Sequence, residues 1–477
     1  MRWLAIRFSR LPLEVLALDP GAASRPWAVV EHRAEGACLV MVNVPAAAGG
    51  VQPGLSPPAA RALLPGLELV TRDRQREHRV LEGLASWALQ FSSQVCVCHP
   101  DTLLVEVAGS RRLFGGETGL TRAVRGAVGA LAYEAGLVLA PTPGGALLLA
   151  RDGRQERVAD VAALKRSLAK VSVTALPLPR EKLAALESAG LRDCGDLLVL
   201  PRDALGRRLG AGFLDWWARL LGEAPDPLPL FRPPEHFHQE VELPVAVESV
   251  EALLFPARRL LLMLEGFLRA RQVAVARLAW LLVHEEVAST GMTQGFQAPL
   301  QDAMAMLSLL KERMSRRVLA APVMRLVLRA DELLAYEGKT ESLLRDGGGA
   351  RDDGFLDRLR ARLGTQAVSG LCLVADHRPE HAMRQCAPGT RGPRLRFPER
   401  PQWLLDPPRV LAVRDGRPWW RGPLTLEGER ERIDAGWWDG RPVRRDYFVA
   451  RSASGTRLWV FIDPEQGKRW FLHGFFG

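Results

Sequence analysis

At 477 residues, with 47% apolar and 25% charged residues, the chain has the composition of a folded protein and is too long for one ordinary core, which excludes disordered and fibrous classes. Its formal charge of +10 favours a polyanionic partner, and all but six of its 64 basic residues are arginines. That dominance suits bidentate phosphate and base contacts, and it follows equally from GC-rich coding.

The first residues, MRWLAIRFSRLPLEVLALDPG, are broken by Arg7, Arg10, Pro12 and Glu14, so they read as neither signal peptide nor membrane span. They alternate and then turn apolar, which predicts a strand entering a helix. PWAVVEHRAEGACLVMVN (26–43) predicts two short strands, and the following Gly/Pro loop leads to one short helix and a strand. A long amphipathic helix is expected over about 73–92, strands around HPDTLLVEVAG (His99 to Gly109), a helix over 118–135 and a strand at 136–141.

Short helices follow over 171–222, where Gly190, Gly195 and Gly210 punctuate apolar turns. The pattern fits helix-hairpin-helix modules, whose turn faces backbone N–H groups to a phosphate, or an ordinary helical bundle. After the Pro-rich DPLPLFRPPEHF, residues 238–335 predict the order βαββαβ of a small open-faced α+β domain. Arg325 and Arg329 fall on one strand face and Arg277 lies similarly on the central strand; that face is either a nucleic-acid surface or a solvated one. Arg316 and Arg317 end a helix, where cations suit the dipole with or without DNA.

Residues 336–354 predict a linker, and 355–477 a different unit holding seven of the 13 tryptophans and ending in a β-meander. The six cysteines (38, 96, 98, 194, 372 and 386) are scattered, and Cys96-x-Cys98 fits core packing better than zinc. The cysteines therefore read as reduced and the chain as cytoplasmic.

In this order the parts resemble a Y-family translesion DNA polymerase, an α+β multidomain fold: palm (1–16 and 75–165), fingers (17–74), helix-hairpin-helix thumb (166–228) and little finger (235–335). A linker (336–354) and a Trp-rich C-terminal region (355–477) complete the chain. The C-terminal GWWDGRPVRRDYFVA and RWFLHGFFG, with DHRPEHA (Asp376 to Ala382), are similar to the tail signature of the ImuB proteins, polymerase-like subunits of bacterial mutagenesis cassettes.

Active members of that family hold two Mg²⁺ ions with a first-strand acidic residue and an Asp-Glu pair, and phosphoryl transfer depends on those metals to neutralise developing charge. The resemblance aligns the first position with Arg7 and the pair with Asp101 and Thr102. Glu106 falls outside the metal triad. The family's Tyr-x-x-Arg, which grips the incoming triphosphate, falls on Val44 and Ala47. The resemblance therefore implies no polymerase activity, no cofactor and no metal site, with DNA-binding parts retained at Gly190, Gly195, Arg277, Arg316, Arg317, Arg325 and Arg329. The competing reading is an active low-fidelity polymerase using Asp101 with an unrecognised further ligand.

As partners the resemblance implies DNA (a primer-template), the sliding clamp, an error-prone C-family DNA polymerase and a RecA-like accessory protein, acting together in mutagenic translesion synthesis during the SOS response to DNA damage. The implied location is the bacterial cytoplasm at the nucleoid, with no membrane. Candidate partner-binding residues are Trp437, Trp438, Arg444, Arg445, Tyr447 and Trp470. Leu343 and Leu344 join them, either as a clamp-binding peptide or as a cap on the neighbouring domain.

Overall fold

A computed structural model of the chain describes residues 1–477 except 17–24, 35, 316–317, 337–352, 389, 391, 394, 396–397 and 466, and except the side chains of 244, 353, 354, 361 and 365. It divides into two compact units, Met1–Arg358 and Leu359–Gly477. The expected linker lies almost wholly outside the described residues.

The first unit begins with β1 (Trp3–Arg7) and a short helix α1 (Leu11–Glu14). Then β2 (Trp27–Arg33), β3 (Gly36–Val42), α2 (Val44–Ala48), α3 (Pro57–Leu63) and β4 (Glu68–Thr71) form a small layer with strand order β3-β2-β4. The helix α2 stands where a loop was expected. Asn43 caps it by accepting the Ala46 N–H, and proline in its first turn has no N–H to lose there.

Next come α4 (Arg74–Ala88), β5 (Val95–Cys98), β6 (Thr102–Glu106), α5 (Glu117–Ala130), β7 (Gly136–Ala140) and α6 (Pro143–Arg151). The sheet order β5-β6-β1-β7 puts β1 in the interior, antiparallel to both neighbours. Leu4 and Ile6 pack with Leu81, Leu84, Leu120 and Val124 of α4 and α5, whereas Trp3 and Ala5 pack with Ala146 and Leu149 of α6. Both sheet faces are therefore covered, which is why β1 reads as an apolar run.

Helices α7 (Val161–Leu168), α8 (Arg180–Ser188), α9 (Cys194–Leu198), α10 (Arg202–Leu209) and α11 (Ala211–Leu220) form a bundle whose core continues that of α6. Gly190 takes φ +79° just after α8 and suits a turn. Gly195 does not: it lies inside α9, where a Cβ would sit 2.8 Å from the Ala169 carbonyl oxygen. Close backbone packing accounts for that glycine, which corrects its assignment to a phosphate-facing turn.

The strands β8 (Phe237–Val247), β9 (Val273–His284), β10 (Thr290–Leu300) and β11 (Val323–Ala330) alternate with α12 (Val250–Arg271) and α13 (Ala303–Met314) in the order βαββαβ. A short β12 (Leu333–Ala335) adds to β9, outside the main order β10-β9-β11-β8. Leu278, Trp280, Leu282, Leu326 and Leu328 bury against Leu260, Leu264, Phe267 and Met306 of the helices.

A helix α14 (Asp353–Leu363) crosses the division between the units. In the second unit β13 (Gly370–Leu373) and β14 (Met383–Cys386) form a hairpin, β15 (Trp403–Val410) follows, and β16 (Ala412–Arg414) pairs with β17 (Arg417–Trp419). With β18 (Thr425–Ala435), β19 (Val443–Arg451), β20 (Arg457–Asp463) and β21 (Arg469–Phe475) the main sheet runs β15-β21-β20-β19-β18. The hairpin brings Cys372 and Cys386 to a Cα separation of 6.0 Å as a disulfide. This corrects the expectation of six unpaired thiols: residues 14 apart in sequence become neighbours once the strands pair.

Candidate functional site

Strand pairing sets Arg7 of β1 directly opposite Thr102 of β6, so the two share the sheet face that carries Ala5 and α6. Asp101, just before β6, completes the group. Arg7 Nε donates to Asp101 Oδ2 at 3.0 Å, and Thr102 Oγ1 donates to Asp101 Oδ1 at 2.8 Å. The Arg7 guanidinium also donates through Nη1 to the carbonyls of Ala150 and Arg151, at 2.9 and 2.8 Å. Those carbonyls belong to the last turn of α6, where acceptors lack helical partners and the dipole favours a cation. The three positions aligned with a metal triad thus converge, with one carboxylate where a triad has three.

These residues do not fit a pair of Mg²⁺ ions. Both oxygens of Asp101 are engaged, Thr102 is fully buried and neutral, and Arg7 adds a positive charge. Glu106 takes a structural part, accepting the Arg2 N–H at 2.9 Å and the Ala108 N–H at 3.3 Å. Among the described residues, no group of three or more His, Cys, Asp or Glu is gathered as metal ligands.

Val44 and Ala47 lie three residues apart on α2 and are exposed, so they share a helix face with no charged or hydrogen-bonding group. On the open face of the β8–β11 sheet, Arg277 pairs with Glu332, and Arg325 Nη1 lies 3.1 Å from Glu240. Arg329 is exposed and makes no ion pair with any described residue. Those carboxylates on the face were missed because they lie on neighbouring strands or past a strand end. Arg316 and Arg317, and likewise Leu343 and Leu344, lie outside the described residues.

In the second unit Trp437 and Trp438 are exposed and meet edge to face at 5.5 Å. Arg378 of DHRPEHA is buried and forks onto Asp376 and Asp439, which ties that segment to the turn of GWWDGRP. Tyr447 is wholly enclosed, stacked on Trp459 at 4.0 Å and hydrogen-bonded to His473 Nδ1 at 2.8 Å. It belongs to the core, which corrects its assignment to a partner surface, and its inward strand parity was the available signal. Arg445 supports the tyrosine hydroxyl and pairs with Glu380, and Arg444 pairs with Asp434 across the strands. Trp470 is half-buried against Phe448.

Sequence reasoning also missed a polar cluster between α1 and α12. Arg259 is buried, lies 3.7 Å over the Tyr133 ring and donates to the Glu14 carbonyl at 3.2 Å. Burial pushes the Glu14 carboxyl up to about 7, against the pull of the Glu134 N–H and of Arg259. No sequence spacing links residues 14, 133 and 259.

Comparison with known proteins finds relatives along most of the chain. The impB/mucB/samB family matches residues 12–151. Protein ImuB of Caulobacter vibrioides, in strains NA1000/CB15N and ATCC 19089/CB 15, is 25% identical over 458 residues, covering 90% of this chain and all of that one. Among solved structures, DinB from Sulfolobus solfataricus is similar over 70% of this chain and all of its own, at 15% identity and a TM-score of 0.39. A Y-family DNA polymerase chimera of Dbh and Dpo4 covers the same 70% at 15% identity and a TM-score of 0.41. Among the described residues no helix is long and apolar enough to cross a membrane. The chain is thus similar over 90% of its length to Protein ImuB, matches the impB/mucB/samB family over residues 12–151, and carries a C-terminal β region beyond that match.

Proposed function

We propose that the chain is a non-catalytic, polymerase-like adaptor in the response to DNA damage. It binds a primer-template and brings an error-prone C-family polymerase, the sliding clamp and a RecA-like accessory protein to a stalled end for mutagenic translesion synthesis. The observation that carries this reading is the Arg7 guanidinium, which takes up the Asp101 carboxylate where two-metal chemistry needs free anionic ligands. DNA binding needs only positive charge and backbone donors, and the net charge of +10 supports it. Tethering an active enzyme raises its effective concentration at the lesion without chemistry by the tether. The exposed Trp437–Trp438 pair supports the second unit as the partner-binding part.

Domain truncation tests the recruitment. Immobilised full-length chain is expected to capture the C-family polymerase and the clamp, and a chain ending at residue 358 to lose the polymerase. Capture of neither by the full-length chain would overturn the adaptor role.

A further inference from the structure

We propose that a groove between α5 and the edge strand β7 is a second nucleic-acid contact, one that takes the phosphodiester backbone of a single strand. A concavity of about 520 Å³ is walled on one side by Thr118, Thr121, Arg122, Arg125 and Gly126 of α5. Gln155 and Arg157 stand on the other side, held beside β7 by the Leu139 N–H to Glu156 carbonyl and Val158 N–H to Leu139 carbonyl bonds, 3.0 and 2.8 Å. Leu137 and Leu139 of the lining belong to the α4/α5 side of the sheet, so the groove lies on the face opposite Arg7 and Asp101.

Three guanidinium groups meet there with one carboxylate. That carboxylate, Glu156, accepts from Ser167 Oγ at 3.3 Å through one oxygen and lies 3.9 Å from Arg154 through the other. Arg157 donates to Thr118 Oγ1. Arg122 and Arg125 are exposed and make no hydrogen bond or ion pair with any described residue. On an ordinary solvated helix face, carboxylates three or four residues away would partner them. The carboxylate of α5, Glu117, is instead taken by Arg2 at 2.9 Å and Arg111 at 3.2 Å.

Gly126 is a second, independent observation. It lies within α5, where glycine costs helix stability relative to alanine, and a Cβ there would meet nothing within 4 Å. Internal packing therefore does not require it, and the missing side chain leaves this wall of the groove open to an approaching strand. Arginine forks and hydroxyl donors are the chemistry of phosphate contact. The groove is open and its cations are exposed, which suits a chain of phosphates threading past rather than one enclosed anion.

This inference rests on the reading that the chain binds DNA, and one experiment separates the two. Binding of a fluorescein-labelled single-stranded oligo-dT by the full chain is followed by anisotropy across salt concentrations. Arg122→Gln/Arg125→Gln/Arg157→Gln is expected to reduce the log–log salt slope by about 2, from roughly 0.7 per lost phosphate contact. Gly126→Leu is expected to weaken binding at least about fivefold while the melting temperature holds or rises, an outcome a packing glycine would not produce. Unchanged slope and affinity in both variants, with the wild type binding normally, overturn the groove alone. A wild type that binds no oligonucleotide overturns DNA binding itself. Micromolar binding of inorganic pyrophosphate, lost in the triple variant while the oligonucleotide slope is unchanged, would assign the groove to a free anion and overturn the strand.

Discussion

Arg7 Nε lies 3.0 Å from Asp101 Oδ2, and both side chains are mostly withdrawn from solvent. The same guanidinium closes the C-terminus of α6 through two carbonyls, so one side chain of β1 satisfies three acceptors from two other segments. This polar junction holds β1, the turn before β6 and α6 together.

Arg7→Ala should therefore destabilise the first unit by about 2 kcal/mol, since it strands a carboxylate and two helix carbonyls at once. Arg7→Lys should recover only part of that, because an ammonium cannot present the fork that reaches all three. Thermal or urea unfolding of the purified variants measures the difference. A neutral Arg7→Ala would mean that the junction contributes nothing to the fold.

The open face of the β8–β11 sheet makes an asymmetric prediction. Arg329 is uncommitted among the described residues, whereas Arg325 is held by Glu240 and must give up that partner to reach a phosphate. Arg329→Ala should lower the salt slope for a primer-template duplex by about 0.9, and Arg325→Ala by less. Equal slopes for both variants and the wild type would discount this face as a DNA contact.

The core of the second unit should respond to acid. Burial holds His473 down at about 4 from its usual 6.5, with Glu380 and Asp406 opposing and Arg445 assisting. The folded state thus favours the neutral ring, which hydrogen-bonds Tyr447. Its contribution is fully present above pH 6.5 and is lost as pH falls through 4. The melting temperature of the second unit, followed by tryptophan fluorescence, should drop by several degrees, on the order of 5, across that window. His473→Gln should flatten the dependence, and an unflattened curve would shift the cause to another group.

The elements were legible where local pattern and packing agree. Alternation and apolar runs located β1, β6, β7 and the βαββαβ series, and pairing then placed Arg7, Asp101 and Thr102 at one point. The short helix α2 was not legible because its signal is a single cap, Asn43, amid Gly and Pro residues that read as loop. Gly195 and Tyr447 were misassigned because residue type alone does not say whether a turn glycine or an aromatic faces a ligand or the core. The Cys372–Cys386 pair and the Arg122–Arg157 groove depend on tertiary neighbours that no local window contains.

Primer extension by the purified full-length chain, with Mg²⁺ and separately with Mn²⁺, tests the central claim most directly. A site holding one carboxylate already bound by Arg7 and Thr102 should give no incorporation with either metal, and Asp101→Ala should change nothing in the assay. Robust incorporation by the wild type that Asp101→Ala abolishes would contradict the account and make the chain a polymerase.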